Sequence, residues 1–218
     1  MRKILLPLLS MLCLVSCNLI EYHPYDCRIT GDTNINAQQI KRIEYNCQGK
    51  DTIRFAVISD TQRWYDETQD LVDAINALGN IDFVVHCGDQ TDFGLTKEFM
   101  WMRDIFGGFT MPYVCLIGNH DCLGSGPHAY RAIYGETNFT FTASFLHLVC
   151  LNTNAFEYDY SVAIPDLGFI EADQDSLSKN ATTTVVAMHA APLTEQFNNN
   201  IAKPFEEGLH LYPQLAFC

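Results

Sequence analysis

Four apolar runs in this chain have the length and composition of buried strands, and each leads directly to a side chain that can bind a metal. Residues 55–59 lead to Asp60, residues 81–86 to Asp89, residues 113–117 to Asn119, and residues 184–188 to His189. The carboxyl ends of parallel strands meet at one edge of a sheet, so these side chains are expected to share one crevice. The pattern predicts an α/β fold with a metal site.

Strand and helix signals alternate from residue 53 onward. A helix is predicted after residue 65, with Asp66 as its cap and Gly79 as its end, and a second from Thr96 to Gly107. Residues 139–143 and 145–151 read as a hairpin, followed by a helix at 167–177 and a strand at 183–188. The order predicts two mixed sheets packed together with outer helices.

Composition limits the class of function. The 218 residues are 48% hydrophobic, which suits one domain with a buried core. The formal net charge is -13, from 26 acidic and 13 basic residues, and no basic stripe is present. Binding to a nucleic-acid backbone is therefore not expected. An acidic protein that handles a phosphate needs local positive charge, which bound divalent cations supply.

Residues 1–17 have the pattern of an export signal. Arg2 and Lys3 precede a short apolar stretch that cannot span a bilayer as a helix, and Leu14-Val15-Ser16-Cys17 resembles a bacterial lipobox. The alternative is an ordinary cleaved signal with an incidental Cys17. Lipidation of Cys17 predicts a membrane-anchored protein of the bacterial cell envelope, outside the cytoplasm. Residues 18–52 are then a polar tether and residues 53–218 the folded domain.

The nine cysteines divide by their surroundings. Cys27 and Cys47 flank a polar segment and are candidates for a disulfide that closes a loop. Cys87, Cys115 and Cys150 lie in or beside apolar runs, where a small buried side chain is expected. The chain contains no C-x-x-C pair, which argues against thiolate zinc sites.

The ordered motifs resemble one known family. Asp60, Gly88-Asp89-x-x-Asp92, Gly118-Asn119-His120-Asp121 and His189 are similar to the signature of calcineurin-like metallophosphoesterases, over roughly residues 53 to 192. The resemblance implies an αββα sandwich. It also implies two divalent metal ions (Mn, Fe, Zn or Mg) that activate a hydroxide for attack on phosphorus.

The resemblance also assigns roles to individual residues. Asp89 would bridge the two metals, with Asp60 and Gln62 on the first and Asn119 and His189 on the second. Taken singly, an Asp at a strand end is often a helix cap, and a lone His is often a core residue.

Next to these ligands, His120 would contact the phosphate or protonate the leaving oxygen. Asp121 or Asp92 would orient His120 or brace nearby loop amides.

Two departures from the family pattern are visible. Gln62 stands where the family has a metal-binding His, which should shift preference from Zn²⁺ toward Mn²⁺, Mg²⁺ or Ca²⁺. The family's final Gly-His-x-His is missing, and His210 in Gly208-Leu209-His210-Leu211 matches it only superficially. We therefore expect incomplete coordination, missing C-terminal strands, and an exposed edge over residues 209–218.

The sequence thus predicts hydrolysis of a phosphomonoester or phosphodiester. The alternative is a non-catalytic binding lipoprotein that keeps the fold. A Ser/His hydrolase is disfavoured because Gly124-Ser125-Gly126 lacks the spacing of a nucleophile elbow. Among the other histidines, His128 is a candidate substrate contact on a flexible loop. Packing or solvation is expected for His86, His147 and His23.

Overall fold

The computed structural model describes residue 23 and residues 25–217. In chain order its helices and strands are α1 (Ile35–Cys47), β1 (Phe55–Ile58), α2 (Tyr65–Leu78), β2 (Phe83–His86), α3 (Thr96–Phe106), β3 (Tyr113–Cys115), α4 (Gly126–Ile133), β4 (Phe139–Ala143), β5 (Leu146–Leu151), α5 (Leu167–Ser176), β6 (Thr183–Met188), α6 (Ala202–Leu209) and β7 (Leu215–Phe217). Short 3₁₀ turns cover His120–Cys122, Ala155–Tyr158 and Asn199–Ile201.

The strands form two sheets. The first has the order β1-β2-β3 and is parallel throughout, with Phe55 opposite Phe83 and Val84 opposite Tyr113. The second has the order β4-β5-β6-β7, in which β4 and β5 are antiparallel and the remaining pairs are parallel. The predicted two-sheet α/β fold is confirmed, although only the second sheet is mixed in the described chain.

The layers follow from side chains that alternate along each strand. Phe83 and Val85 point toward the second sheet, where they pack with Phe141, Leu148 and Val185. The opposite face of the first sheet is covered by α2, α3 and α4, and the opposite face of the second by α5 and α6. The layer order is therefore αββα, as expected.

Helix α1 corrects the prediction that residues 18–52 are a tether. Ile43 and Cys47 are fully buried between the sheets, so residues 35–47 belong to the folded domain. The side chain of Asn36, in the first turn of this helix, bonds both the N–H and the carbonyl of Cys115, at 3.0 and 2.9 Å. The amide thereby satisfies the hydrogen-bonding groups at the free edge of β3. The polar sequence around Asn36 does not predict this long-range contact.

Helix α2 starts one residue earlier than its predicted cap. Trp64 is the N-cap, and Asp66 lies in the first turn. There its negative charge interacts favourably with the positive end of the helix dipole. Gly79 ends the helix in the left-handed conformation with φ 67°, as predicted.

The cysteine and leader predictions have different outcomes. Cys27 and Cys47 are both free thiols, because Cys47 is enclosed by the inter-sheet core, so the proposed loop-closing disulfide is wrong. Cys115 and Cys150 are fully buried, as expected. The signal segment and Cys17 lie outside the described residues. Within the described part, no helix has the length and apolarity needed to cross a membrane.

The C-terminal region is only partly an edge. Leu209 ends α6 and is buried against the second sheet, because α6 packs its apolar face there. Strand β7 then pairs in parallel with β6 and is the outer strand of that sheet among the described residues. The predicted exposed edge is therefore restricted to β7.

Candidate metal centre

The predicted ligands lie on loops at the carboxyl ends of the strands. Asp60 follows β1, Asp89 follows β2, Asn119 follows β3 and His189 follows β6. Asp60 and Asp89 have φ values of 58° and 61°, the left-handed region that non-glycine residues seldom adopt. Such backbone conformations are concentrated at functional sites, where the surrounding structure enforces them.

Four of the predicted ligands meet in one place. One ligand atom from each of Asp60, Asp89 and His189 lies within 4.8 Å of the other two. Nε2 of His189 is 3.5 Å from Oδ1 of Asp89 and 2.9 Å from Oδ1 of Asn119. Asp60 is exposed whereas Asp89 is buried, so the cluster opens to solvent on one side.

The hydrogen bonds around His189 fix its tautomer. Nδ1 lies 3.0 Å from the carbonyl oxygen of Cys87, which can only accept, so Nδ1 carries the proton. In the neutral ring, Nε2 presents a lone pair to the amide oxygen of Asn119 and the carboxylate of Asp89. Three electron-donating atoms facing each other repel unless a cation lies among them, so this arrangement fits a metal site.

Gln62 also lies beside the cluster. Its Nε2 donates to Oδ2 of Asp89 at 3.4 Å, whereas its Oε1 is buried without a hydrogen-bond partner. An orphaned buried amide oxygen is costly, and coordination of a cation would satisfy it. The donor set of carboxylate, amide oxygen and imidazole suits a divalent cation.

Asp121 braces the loops rather than touching a reacting group. It is fully buried and accepts from the backbone N–H of Gly118, Asp89, Gln90 and Thr91 at 2.9 to 3.0 Å. Burial raises the pKa of Asp121 to about 6, and the amide of Gly118 opposes that rise. Asp121 thereby ties the β2 loop to the β3 loop.

Two glycines permit the close approach of these loops. Gly88 has φ 104°, and a Cβ there would lie 2.6 Å from the amide nitrogen of Gly118. A Cβ on Gly118 would lie 2.2 Å from both the amide nitrogen and Oδ1 of Asp89. A side chain at Gly88 would therefore push the two loops apart, and one at Gly118 would displace the carboxylate of Asp89.

His120 lies beside the cluster, and its side chain is partly exposed. Its Nδ1 donates to the carbonyl oxygen of Asp92 at 2.8 Å, and its backbone N–H donates to Oδ1 of Asp89 at 2.9 Å. The carboxylate of Asp92 is 3.8 Å from Nδ1 and contacts Arg63 instead. Asp92 therefore orients His120 through its backbone. The Asp92 carbonyl raises the pKa of His120, and the charge of Asp89 adds to this.

Burial also changes the pKa of two residues in the β2 segment. It raises the pKa of Asp89, an effect that His189 opposes. Burial lowers the pKa of His86 to about 3, and the proximity of His189 contributes. His86 was predicted to be a packing residue, but it bonds to Gly88 and Thr61 in the two loops that carry Asp89 and Asp60. Its position inside an apolar strand, three residues before Asp89, was the available signal.

The other histidines lie apart from the cluster. His128 is on α4 rather than on a flexible loop, because Pro127 at the first turn starts that helix. His147 is buried and bonded to Asp173, consistent with a structural role. His210 caps the C-terminus of α6 and is exposed.

Residues 53–212 match the profile of the family described as calcineurin-like phosphoesterase. The chain belongs to this family. The predicted resemblance to the calcineurin-like phosphoesterases is thus confirmed. The position of the four candidate ligands after their strands agrees with this membership. Membership supports a metal-dependent phosphoester hydrolase, with Asp60, Asp89 and His189 as a candidate metal site.

Solved structures share the fold of this calcineurin-like phosphoesterase at low identity. A purple acid phosphatase from yellow lupin (Lupinus luteus) seeds aligns with TM-score 0.50 and 13% identity, covering 64% of this chain and 30% of its own. A phosphopantetheinyl hydrolase from Mycobacterium tuberculosis aligns with TM-score 0.42 and 12% identity, covering 75% of this chain and 76% of its own. The second similarity is too weak to carry an argument. No curated protein sequence matches the chain.

Proposed function

We propose that this chain hydrolyses phosphomonoesters or phosphodiesters with the help of two divalent cations. The observation that carries the proposal is the convergence of ligand atoms from Asp60, Asp89 and His189 within 4.8 Å of one another. Oδ1 of Asn119 lies 2.9 Å from Nε2 of His189 in the same cluster. The buried, unpartnered oxygen of Gln62 supports the same conclusion from the other side of Asp89.

The residues divide into two ligand sets that share one carboxylate. Asp60, Gln62 and Asp89 would hold the first cation, and Asp89, Asn119 and His189 the second. Bound there, the cations would supply Lewis acidity and a water acidic enough to attack phosphorus near neutral pH. Because Gln62 offers an amide oxygen in place of an imidazole, we expect Mn²⁺, Mg²⁺ or Ca²⁺ to be preferred over Zn²⁺.

His120 would act on the leaving group. Its Nδ1 is held by the carbonyl of Asp92, which leaves Nε2 as the ring atom that faces substrate. The raised pKa of His120 favours the protonated ring, which can donate to the leaving oxygen. Asp121 and Asp92 would keep the two loops and this ring in place, without contacting the phosphate.

Metal content and turnover test the proposal together. The soluble part should bind Mn²⁺ and hydrolyse 4-nitrophenyl phosphate or bis(4-nitrophenyl) phosphate. Asp89→Asn should lower both metal content and rate by at least about 100-fold, since it alters both sites. His210→Ala, at the exposed end of α6, is the matched control and should change neither. A protein without metal and without turnover would favour the non-catalytic binding lipoprotein.

We also propose that Cys17 carries a lipid, which would anchor the domain to a membrane of the bacterial cell envelope. The support is the sequence Leu14-Val15-Ser16-Cys17 after a short apolar leader. Expression with labelled palmitate should label the wild-type protein, and Cys17→Ala should abolish the label. Equal labelling of both proteins would contradict the anchor.

A further inference from the structure

One basic side chain lies on the loops that surround the candidate metal centre. The loops at the carboxyl ends of β1, β2, β3, β5 and β6 comprise residues 59–64, 87–95, 116–125, 152–166 and 189–201. Within these described loops Arg63 is the only Lys or Arg, whereas the same loops carry several Asp and Glu. Arg63 is therefore the one side chain on these described loops that could offer a guanidinium to a phosphate bound at this centre.

The contacts of Arg63 place it beside His120. Its guanidinium contacts Oδ1 of Asp92, and Nδ1 of His120 lies 3.8 Å from the same oxygen atom. The guanidinium and the imidazole therefore both lie near the same carboxylate oxygen. The backbone N–H of His120 in turn donates to Oδ1 of Asp89.

Arg63 retains donors that its partner does not use. Its side chain is 60% exposed, and the Asp92 contact is made through one terminal nitrogen, Nη2. A guanidinium has five N–H donors in a planar fork that matches phosphate oxygens, so several remain available to a ligand. Arg63 has φ 60°, a conformation that is costly for a non-glycine residue and that is typical of functional loops.

We infer that Arg63 binds a terminal phosphate oxygen of the substrate and makes the site selective for phosphomonoester dianions over phosphodiesters. The inference rests on the proposed function and narrows its substrate class. A monoester presents three terminal oxygens and up to two negative charges, whereas a diester presents two oxygens and one charge. If each of the two cations takes one terminal oxygen, a third oxygen remains for the guanidinium only in the monoester, which also carries the larger charge.

Substrates with the same leaving group test this selectivity. The Mn²⁺-loaded protein is assayed with 4-nitrophenyl phosphate and with methyl 4-nitrophenyl phosphate, and inorganic phosphate binding is measured by calorimetry. Arg63→Met should lower kcat/KM for the monoester by about 10- to 100-fold and for the diester by less than about 3-fold. Phosphate affinity should fall by about 10-fold or more, and Arg63→Lys should give an intermediate loss.

Arg42→Met is the matched control, because it removes the same charge from α1 near the amino ends of the strands. It should leave both rates and phosphate binding unchanged. An equal fall for both esters would overturn the inference, since bracing of Asp92 alone predicts that result. Unchanged phosphate affinity in Arg63→Met would overturn it as well.

The calorimetry separates this inference from the proposed function. If the wild type turns over neither ester but binds phosphate through Arg63, the hydrolase proposal and the substrate selectivity fail, and only the assignment of Arg63 to phosphate binding stands. If turnover occurs without a change in the monoester to diester ratio, the hydrolase stands and the assignment fails. A wild type that neither binds phosphate nor turns over either ester overturns both.

Discussion

His86 and Thr61 form a buried hydrogen bond that links the strand before Asp89 to the loop after Asp60. Nδ1 of His86 accepts from the N–H of Gly88 at 3.1 Å, so Nε2 carries the proton and donates to Oγ1 of Thr61 at 2.9 Å. Because burial lowers the pKa of His86 to about 3, the ring stays neutral over the working range of pH. One ring therefore holds the β1 and β2 loops together.

Replacement of His86 should weaken metal binding without touching a ligand. His86→Phe leaves the N–H of Gly88 and the hydroxyl of Thr61 unpaired in the core, which costs about 1 to 3 kcal/mol each in the free energy of unfolding. Misplacement of the two loops should lower Mn²⁺ affinity by about 10- to 100-fold. Chemical denaturation and a metal titration check the two effects separately.

A partial replacement distinguishes hydrogen bonding from packing. His86→Asn keeps an acceptor near the position of Nδ1 and loses the reach to Thr61, so its metal affinity should fall between those of the wild type and His86→Phe. If His86→Phe binds Mn²⁺ as tightly as the wild type, the ring does not position the ligands.

Gly118 should be intolerant of any side chain. In Gly118→Ala the added Cβ would lie 2.2 Å from Oδ1 of Asp89, so the carboxylate must move out of the cluster. We expect Mn²⁺ affinity to fall by at least about 100-fold, measured by equilibrium dialysis. Gly208→Ala on α6 is the control, because its Cβ would meet only a side-chain carbon at 4.0 Å and alanine favours a helix. Full metal occupancy in Gly118→Ala would contradict the tight approach of the two loops.

The convergence of the ligands was predictable because each ligand follows a strand directly. Asp60, Asp89 and His189 come one to three residues after β1, β2 and β6, and parallel strands with short loops leave little freedom in where these residues lie. The same regularity explains why β6 and α3 match their predicted bounds. The local pattern of apolar residues was enough to predict these elements, because their structure depends mainly on residues close in sequence.

Long-range polar contacts were not predictable from local sequence. Asn36 bonds to Cys115 across 79 residues of sequence. This contact attaches α1, in the segment predicted to be a tether, to the edge of β3. His86 looked like a packing residue because its partners are a backbone N–H and a hydroxyl, groups that nearly every loop contains. The unpaired oxygen of Gln62 likewise becomes visible only when its surroundings are known.

Gln62→His should raise Zn²⁺ affinity. The substitution replaces a buried amide oxygen beside Asp89 with an imidazole nitrogen, a better ligand for Zn²⁺. We expect a gain of about 10-fold or more in a competition titration with a chromogenic chelator, and a smaller change for Mn²⁺. Gln174→His is the control, because Gln174 lies on α5 and bonds to Gly208 away from the cluster. An unchanged zinc titration would count against Gln62 as a ligand.

Asp173 on α5 is the centre of a second buried network. Its carboxylate accepts from Nε2 of His147 at 2.9 Å, from the hydroxyl of Tyr212 at 2.7 Å and from the hydroxyl of Thr140 at 2.8 Å. Burial pushes the pKa of Asp173 upward, but the hydrogen bonds from His147, Tyr212 and Thr140 outweigh burial, so the pKa lies below its ordinary value of 3.8. The network fastens α5 and the end of α6 to the second sheet.

Asp173→Asn should therefore destabilise the fold in a pH-dependent way. The amide presents N–H donors to neighbours that also donate, so the free energy of unfolding should fall by about 1 to 3 kcal/mol at pH 7. A depressed folded pKa contributes stability above the unfolded pKa and loses it as pH falls through the folded value. The difference between wild type and variant should thus be constant above about pH 5 and shrink as pH falls below 3.8. Urea denaturation across this range checks the trend, with Tyr212→Phe as a milder variant that keeps the carboxylate. A difference that grows toward acid pH would show that ionised Asp173 does not stabilise the second sheet.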